Sequence, residues 1–287
     1  MTDRYSKEIR STITSEGNVE LSITKVQVPT PNDDEVVIEV HAAPISPSDL
    51  ALLITFGGDL SNINISGSGE DTVASMKIHP AMMKSMKSRL DQPMPAGNEG
   101  AGVVVDAGSN VKHLTGKTVG LAGGAMYSQY ICVPAVNCLV MDDETTPAEA
   151  ASSFVNPMTA LSFIETMKME NHSGIVNTAA ASNLGQMLVK ICIDENIPLV
   201  NIVRTKEQVE LLKNIGAKYV CNTSDENFKE TLVTALIETG ATLGFDATGG
   251  GNNGELPGQI LAAMEIASNS ESSEYSRYGS ETYKQVY

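Results

Sequence analysis

Small side chains follow an apolar run near the middle of the sequence, and their spacing suggests phosphate binding. The segment AAASNLG at 179–185 comes directly after a predicted strand and before a helical pattern. It is similar to a GxGxxG turn, with the small residues Ala179 and Ser182 followed by Gly185. Small residues let the backbone approach a pyrophosphate, whose charge a helix N-terminus attracts. An ordinary strand-to-helix turn is the alternative interpretation of this segment taken alone.

Two cationic residues follow the next predicted strand, about 20 residues beyond the small-residue turn. At this place an NAD-preferring site carries Asp or Glu. The sequence there is Arg204, Thr205 and Lys206, so no carboxylate is available for a ribose hydroxyl. Arg204 and Lys206 could instead hold a 2′-phosphate through charge-assisted hydrogen bonds. The pattern predicts NADPH as the cofactor. An exposed Arg and Lys at a helix start is the alternative.

The elements around these residues alternate between strand and helix from about residue 155 onward. This order is typical of a parallel sheet covered by helices on both faces. The predicted strands are 174–178, 199–203, 218–221, 243–246 and the first residues of a fifth at 283–287. The predicted helices are 183–196, 206–215, 225–239 and 258–267.

The first half of the chain has short β-rich runs separated by Gly and Pro, which favours a barrel or sandwich. Val36, Ile38 and Val40 alternate with their neighbours and predict a half-buried strand. Further short runs lie at 102–106, 117–121, 127–133 and 138–141. We therefore predict two domains, 1–155 and 156–287.

An insertion at about 57–95 interrupts the first domain. It reads as a Gly/Ser/Asn-rich loop followed by a helix, in which Pro80 suits the first turn and Met82, Met83 and Met86 share one face. The methionine stripe packs on the core in one interpretation. In the other it covers a substrate pocket, since methionine adapts to varied apolar shapes.

Composition restricts the partners of this chain. The net charge of −16 would repel nucleic acid and anionic membranes. The four cysteines form no CxxC pair, and the N-terminal segment has no apolar core of a signal peptide. We expect a cytoplasmic protein with a small-molecule substrate, no nucleic-acid partner and no membrane partner.

Several motifs occur in an order that resembles one known family. They are HAAPISPSD at 41–49, PAGNEGAGVVVDAGSNV at 95–111, GKTVGLAGGAMYSQYICVP at 116–134, SSFVNPMTAL at 152–161 and FDATGGG at 245–251. Together they resemble the medium-chain dehydrogenase/reductase superfamily, in its zinc-independent NADPH:quinone oxidoreductase-like branch. The resemblance implies an α/β protein with a GroES-like β-barrel domain for substrate, followed by a Rossmann domain, with the active site in the cleft between them.

The same resemblance implies the site residues. Asn156, Thr159 and Tyr127 are the candidate catalytic residues at the nicotinamide end. The residues expected to contact the cofactor are Ala180, Ser182, Asn183, Leu184, Arg204, Lys206, Thr248, Gly249 and Gly250.

Zinc-dependent relatives of this kind have a Cys and a His at the positions of Ser46 and Asn98. A hydroxyl and an amide replace them poorly as zinc ligands, so we expect no metal. Without a metal, the chemistry that suits NADPH is hydride transfer to a quinone or to an activated double bond.

Two alternatives remain open. One is an enoyl-thioester reductase. Those enzymes have a Tyr that acts as the acid, and Phe56 lies near that place in this sequence. The other is a non-catalytic, truncated nucleotide-binding remnant. The alternating pattern at 283–287 stops as the chain ends, so we expect that the C-terminal part is missing. Homodimers are expected of intact relatives and are doubtful for this chain.

Overall fold

The structure is a computed structural model that describes residues 4–54, 58–250, 254–270 and 276–287. Three residues named above lie outside the described residues. They are Phe56, Gly57 at the start of the predicted insertion, and Gly251 of the FDATGGG motif. The chain divides into two compact units, Met1–Val155 and Asn156–Tyr287.

The first unit is built mainly from antiparallel strands. They are β1 (Tyr5–Ile13), β2 (Asn18–Gln27), β3 (Glu35–Ala42), β4 (Asn64–Ser66), β5 (Val73–Lys77), β6 (Met94–Pro95), β7 (Glu99–Ala107), β8 (Thr118–Ala122), β9 (Tyr130–Pro134) and β10 (Cys138–Val140). Within the described ranges they form two five-stranded sheets, ordered β4-β5-β2-β1-β6 and β10-β8-β7-β3-β9. Three short α-helices accompany them: α1 (Pro47–Ile54), α2 (Pro80–Met83) and α3 (Pro147–Ala150).

Strand β3 is more buried than its sequence pattern predicts. Val36, Val37 and Ile38 are all at most 1% exposed, although alternation predicted that Val37 would face solvent. β3 lies between β7 and β9, and at this point it is covered on both faces. The half-buried assignment is therefore wrong for the start of the strand, because a central strand can bury both sets of side chains.

The insertion contains strands as well as the predicted helix. β5 pairs with β2 and β4 pairs with β5, so the prediction of a loop over this part is wrong. The pairing buries Met76 opposite Val19, a long-range contact that the Gly/Ser/Asn-rich composition hides. α2 begins at Pro80 as predicted, after His79 as N-cap, but it ends at Met83, so Met86 lies beyond the helix. The methionines Met82, Met83 and Met86 pack on a core formed by Ile13, Val19, Met76 and Ile78, which supports the core interpretation.

The second unit contains a parallel sheet, which confirms the predicted α/β class. Its strands are β11 (Ile175–Asn177), β12 (Leu199–Val203), β13 (Tyr219–Asn222), β14 (Leu243–Phe245) and β15 (Gln285–Val286). In the described part of the chain their order is β13-β12-β11-β14-β15, and every pair is parallel. The strand order therefore reverses direction between β11 and β14, which is the switch point where open α/β sheets bind ligands.

Helices cover this sheet on both faces. They are α4 (Val155–Met169), α5 (Asn183–Asp194), α6 (Lys206–Asn214), α7 (Phe228–Thr239) and α8 (Leu256–Ser270). Side chains of α4, α5 and α6 share one core with Ile175 and Leu199, while α7 and α8 share another with Val176 and Val200. Neighbouring residues of β11 and β12 thus enter opposite cores, as the period of two in a strand requires. The bounds of the four predicted helices differ from those of α5 to α8 by at most three residues, whereas α4 was not predicted.

No helix in the described ranges is both long enough and apolar enough to span a membrane.

Candidate functional site

The carboxyl ends of β11 and β14 are joined by side-chain hydrogen bonds. The Thr178 hydroxyl donates to Asp246 Oδ1 at 2.7 Å and accepts from the Ala247 N–H at 2.9 Å. Thr178 and Asp246 each directly follow a strand, so this hydrogen bond connects the ends of β11 and β14 at the switch point. The loops after the two strands are thereby held in a fixed relation to each other.

The turn after β11 is tight and brings the start of α5 close to the end of the strand. Ala179 adopts φ +47°, a left-handed conformation that glycine accepts more easily than alanine. The Ser182 hydroxyl caps α5 by accepting the N–H of Gly185 at 3.2 Å. A Cβ on Gly185 would lie 2.2 Å from the carbonyl oxygen of Ala180, so only glycine fits between this helix and the strand end. These three features match the roles that small residues have in dinucleotide sites.

The predicted pyrophosphate contacts differ in the polar groups that they can present to a ligand. The Ala180 side chain is fully buried, and its N–H donates to the carbonyl of Ile202 at 3.2 Å. The Ser182 N–H donates to the Ala179 carbonyl at 2.9 Å, so this residue would contact a ligand through its side chain. Asn183 and Leu184 occupy the first two positions of α5, where backbone N–H groups have no intrahelical acceptor. The backbone donors at the start of this helix are therefore mainly the N–H groups of these two residues.

A cavity of about 810 Å³ lies at the carboxyl ends of the strands. Its described lining consists of Thr178, Ala179, Ala181, Ser182, Ile202, Val203, Arg204, Gln208, Thr223, Ser224, Thr248, Glu255, Leu256 and Gln259. The cavity connects the small-residue turn with the residues that follow β12, β13 and β14. This volume lies within the range typical of small-molecule and cofactor sites.

Arg204, a predicted contact of the 2′-phosphate, lines this cavity, but its neighbour Lys206 does not. The Arg204 backbone is fixed by two hydrogen bonds: its N–H donates to Gln208 Oε1 at 2.9 Å, and its carbonyl accepts from the Ser224 hydroxyl at 2.7 Å. Within the described ranges its exposed guanidinium forms no ion pair. The guanidinium is therefore available to an anion. Lys206 is exposed at the first position of α6.

The turn after β14 is organised around Asp246. Its carboxylate accepts hydrogen bonds from the Thr248 hydroxyl at 2.6 Å, the Thr248 N–H at 3.0 Å and the Gly250 N–H. Burial alone would raise the pKa of Asp246, but these bonds and the one from Thr178 outweigh it and lower the pKa. Gly249 and Gly250 have φ +66° and +96°, which favours glycine in this turn. Of the three predicted contacts in this turn, Thr248 lines the cavity.

The candidate catalytic residues have different surroundings. Asn156 and Thr159 lie in the first turns of α4, both half-buried, and neither lines the cavity among the described residues. Tyr127 belongs to the first unit, where its hydroxyl donates to the Pro44 carbonyl at 2.8 Å. Partial burial, together with the Asp49 carboxylate, raises the pKa of Tyr127 to about 12. This hydroxyl therefore has a structural partner and is a weak acid.

Ser46 and Asn98, the positions considered above for zinc ligands, are brought together by a buried carboxylate. Asp49, 0% exposed, accepts the backbone N–H groups of Ser46 and Asn98, both at 2.8 Å. The Asn98 side chain donates to the Ser48 hydroxyl at 3.1 Å. Across the described ranges, no group of three or more His, Cys, Asp or Glu side chains could hold a metal ion. The donor set of Ser46, Asn98 and Ser48 consists of hydroxyls and an amide, which does not fit zinc.

Comparison with known proteins relates this geometry to a family. No family model matches the sequence. Mitochondrial enoyl-[acyl-carrier-protein] reductases of Xenopus tropicalis and Caenorhabditis elegans are 29% and 26% identical over 70% and 74% of this chain. A solved structure from Mesorhizobium loti, assigned as an NADPH:quinone reductase, is 26% identical with a TM-score of 0.65. It covers 92% of this chain, which covers 72% of that one.

The comparisons confirm the resemblance to the medium-chain dehydrogenase/reductases. The quinone oxidoreductase of Escherichia coli complexed with NADPH has the same fold at 20% identity, with a TM-score of 0.58 over 85% of this chain and 66% of that one. The chain spans about half the length of the curated relatives it matches, 51% and 54% of the two named above.

Several residues that line the cavity were not predicted from the sequence. Thr223 and Ser224 follow β13, and Gln259 lies on α8. Thr223 and Ser224 could have been found, because residues just after parallel strands meet at one edge of the sheet. Gln259 has no such signal, since its position depends on how α8 packs.

Proposed function

We propose that this chain binds NADPH and serves in hydride transfer to a quinone or to an activated double bond. The observation that carries the proposal is the cavity at the switch point, which joins a small-residue turn to an unpaired guanidinium. The Gly185 position, where a Cβ would meet the Ala180 backbone, fits a turn shaped for close approach of a phosphate. NADPH, when bound, supplies the hydride.

In this proposal each part of the cavity has a separate task. The N–H groups of Asn183 and Leu184, at the start of α5, bind the pyrophosphate. Ala180 shapes the turn from its buried position, and the Ser182 side chain borders the ligand. Arg204 binds the 2′-phosphate, and exposed Lys206 adds positive charge nearby.

The nicotinamide end is assigned to the turn of Thr248, Gly249 and Gly250 and to Asn156 and Thr159 on α4. These residues would orient the ring and the acceptor, since positioning of the reactants is the main protein contribution to hydride transfer. Tyr127 enters the proposal as a positioning residue that holds the Pro44 loop, because its hydroxyl is bound to a carbonyl.

An enoyl-thioester reductase is the second candidate, favoured by the names of the curated relatives. Both candidates use the same cofactor site and differ in the acceptor. Oxidation of NADPH with 1,2-naphthoquinone, an enone and a trans-2-enoyl thioester distinguishes them. NADPH binding without turnover of any acceptor would favour the non-catalytic alternative.

The remaining features of the proposal concern the protein as a whole. We propose that it acts without zinc, on a small-molecule substrate and with no nucleic-acid or membrane partner. We also propose a cytoplasmic location, which fractionation of cells that express the tagged chain would test. The curated relatives named above are mitochondrial by name. Recovery of the tagged chain in the mitochondrial fraction would contradict the cytoplasmic location.

The cofactor proposal is tested by Arg204→Glu, with dissociation constants for NADPH and NADH measured by nucleotide fluorescence. Loss of a charge-assisted phosphate contact should weaken NADPH binding by about 10- to 100-fold. NADH lacks the phosphate, so its affinity should change less than about threefold by the same reasoning. Lys213→Glu is the matched control, because Lys213 is an exposed cation on α6 that does not line the cavity. Equal loss of both nucleotides in Arg204→Glu would contradict the 2′-phosphate assignment.

A further inference from the structure

The backbone of Arg204 is held on both sides by side chains. Arg204 is exposed and lies in the short loop between β12 and α6. Its carbonyl accepts from the Ser224 hydroxyl at 2.7 Å, and its N–H donates to Gln208 Oε1 at 2.9 Å. These two bonds restrain the peptide groups before and after the Arg204 Cα. They therefore set the direction in which the side chain leaves the loop, and with it the region that the guanidinium can reach.

Ser224 connects the loop after β13 to the loop after β12. At the end of the strands, the Thr223 N–H still donates to the Val203 carbonyl at 2.9 Å, as in a parallel ladder. One residue further along, it is the side chain of Ser224 that reaches across and donates to the Arg204 carbonyl. The contact between the two strands is thereby extended into their loops.

A buried amide fixes the loop that carries Ser224. Asn222, the last residue of β13, is 4% exposed. Its Oδ1 accepts the Ser224 N–H at 3.0 Å, and its Nδ2 donates to Asp225 Oδ1 at 3.0 Å. The Asp225 N–H donates in turn to the Asn222 carbonyl at 3.1 Å. Ser224 is therefore anchored to the end of the sheet, and an anchored residue can hold its neighbour in a defined position.

The bond between Ser224 and Arg204 suits ligand binding better than it suits folding. Both residues are exposed, so water can replace this bond at a small cost in stability. Arg204, Gln208 and Ser224 all line the cavity of about 810 Å³ at the carboxyl ends of the strands. A long side chain that is restrained before binding loses less conformational entropy when a ligand binds. The arrangement therefore prepares Arg204 for its ligand.

We propose that Ser224 is a positioning residue for cofactor selection, because its hydroxyl holds the Arg204 backbone so that the guanidinium is directed at the 2′-phosphate of NADPH. This inference rests on the proposed function, since it requires a 2′-phosphate at Arg204. Ser224 acts through Arg204 and not through a contact of its own with the nucleotide. Its loss should therefore change the affinity for NADPH and leave the affinity for NADH unchanged.

Ser224→Ala tests this role in the full chain, with dissociation constants for NADPH and NADH measured by nucleotide fluorescence. Loss of one hydrogen bond predicts that NADPH binds about 2- to 10-fold more weakly. Ser224→Thr keeps the hydroxyl and should retain most of the NADPH affinity. Ser173→Ala is the matched control, because the exposed Ser173 hydroxyl also joins two loops by donating to the Gly240 carbonyl, at 2.8 Å, but neither residue lines this cavity. The control should bind both nucleotides as the unaltered chain does.

The same measurement in Arg204→Ala separates positioning from direct contact. If Ser224 acts through Arg204, adding Ser224→Ala should not weaken NADPH binding further once the guanidinium is absent. A further loss by the factor seen in the single variant would show that the hydroxyl contacts the phosphate itself, and would overturn the proposal. A crystal structure of the unaltered chain with NADPH requires no variant. It should show Ser224 Oγ bonded to the Arg204 carbonyl and the guanidinium at the 2′-phosphate.

The outcomes distinguish this inference from the proposed function. Unchanged NADPH affinity in Ser224→Ala, equal loss of both nucleotides, or a crystal structure in which the Ser224 hydroxyl leaves the Arg204 carbonyl would overturn the positioning role. The cofactor site itself still stands in these cases if Arg204→Ala weakens NADPH alone. If Arg204→Ala weakens neither nucleotide, or both equally, the 2′-phosphate assignment fails and the positioning role fails with it.

Discussion

Gly185→Ala is the substitution whose effect can be worked out most directly from the structure. The added Cβ would lie 2.2 Å from the oxygen, 2.5 Å from the carbonyl carbon and 2.6 Å from the Cα of Ala180. Ordinary contact begins near 3.4 Å, so this gap must widen by about 1.2 Å, the difference between 3.4 and 2.2 Å. All three atoms belong to the backbone and cannot move aside by a rotamer change. The helix α5 must therefore retreat from the end of β11.

That movement would disturb both packing and the proposed phosphate contacts. Leu188, Val189 and Cys192 on α5 are buried in the core shared with β11 and β12. Overpacking of this kind costs about 1–3 kcal/mol in the free energy of unfolding. The N–H groups of Asn183 and Leu184 move with the helix, so nucleotide affinity should fall as well.

Gly258→Ala is a matched control, because Gly258 is the third residue of α8, as Gly185 is of α5. A Cβ there meets nothing within 4 Å. The control should stabilise the protein by up to about 1 kcal/mol, since Ala has the higher helix propensity. Urea unfolding followed by far-UV circular dichroism, together with NADPH titration, measures both effects. Equal stability and equal nucleotide affinity of the two variants would refute the close-approach argument.

Two further predictions concern tyrosine chemistry and pH. Tyr127→Phe should cost about 0.5–1.5 kcal/mol by removing the hydrogen bond to Pro44, and kcat should change little. A fall in kcat on the order of 100-fold or more would instead identify a proton donor. Glu265, bound first by the Lys284 ammonium and then by the Ser280 N–H, has its pKa lowered from 4.5 to about 2. Its stabilising effect is complete above pH 4.5 and is lost as the pH falls through about 2. The stability difference between wild type and Glu265→Gln should therefore shrink over this interval in acid unfolding curves, and a constant difference would contradict the assignment.

Much of the second unit could be predicted because its signals are local. The bounds of β12 were predicted without error, and α5 and α6 begin at the predicted residues. The short-range pattern of apolar residues determines such elements. The turn at 179–185 could be located because its small residues follow an apolar run and precede a helical pattern.

Other features depend on contacts between residues far apart in the sequence. β5 is a strand because it pairs with β2, and Tyr127 is held by the carbonyl of Pro44, 83 residues away. Neither the composition nor the periodicity of the sequence predicts these pairings.

The sequence by itself determined the class of the fold, the small-residue turn and the cation that follows β12, because each depends on residue types at short, fixed spacing. Only the tertiary structure decided which of these residues share a cavity. Arg204, Ser224 and Gln259 all line the proposed nucleotide cavity, whereas Lys206 does not. The physical reason is that parallel strands bring their carboxyl ends to one edge, whereas the side-chain direction at each end depends on the packing of the helix that follows.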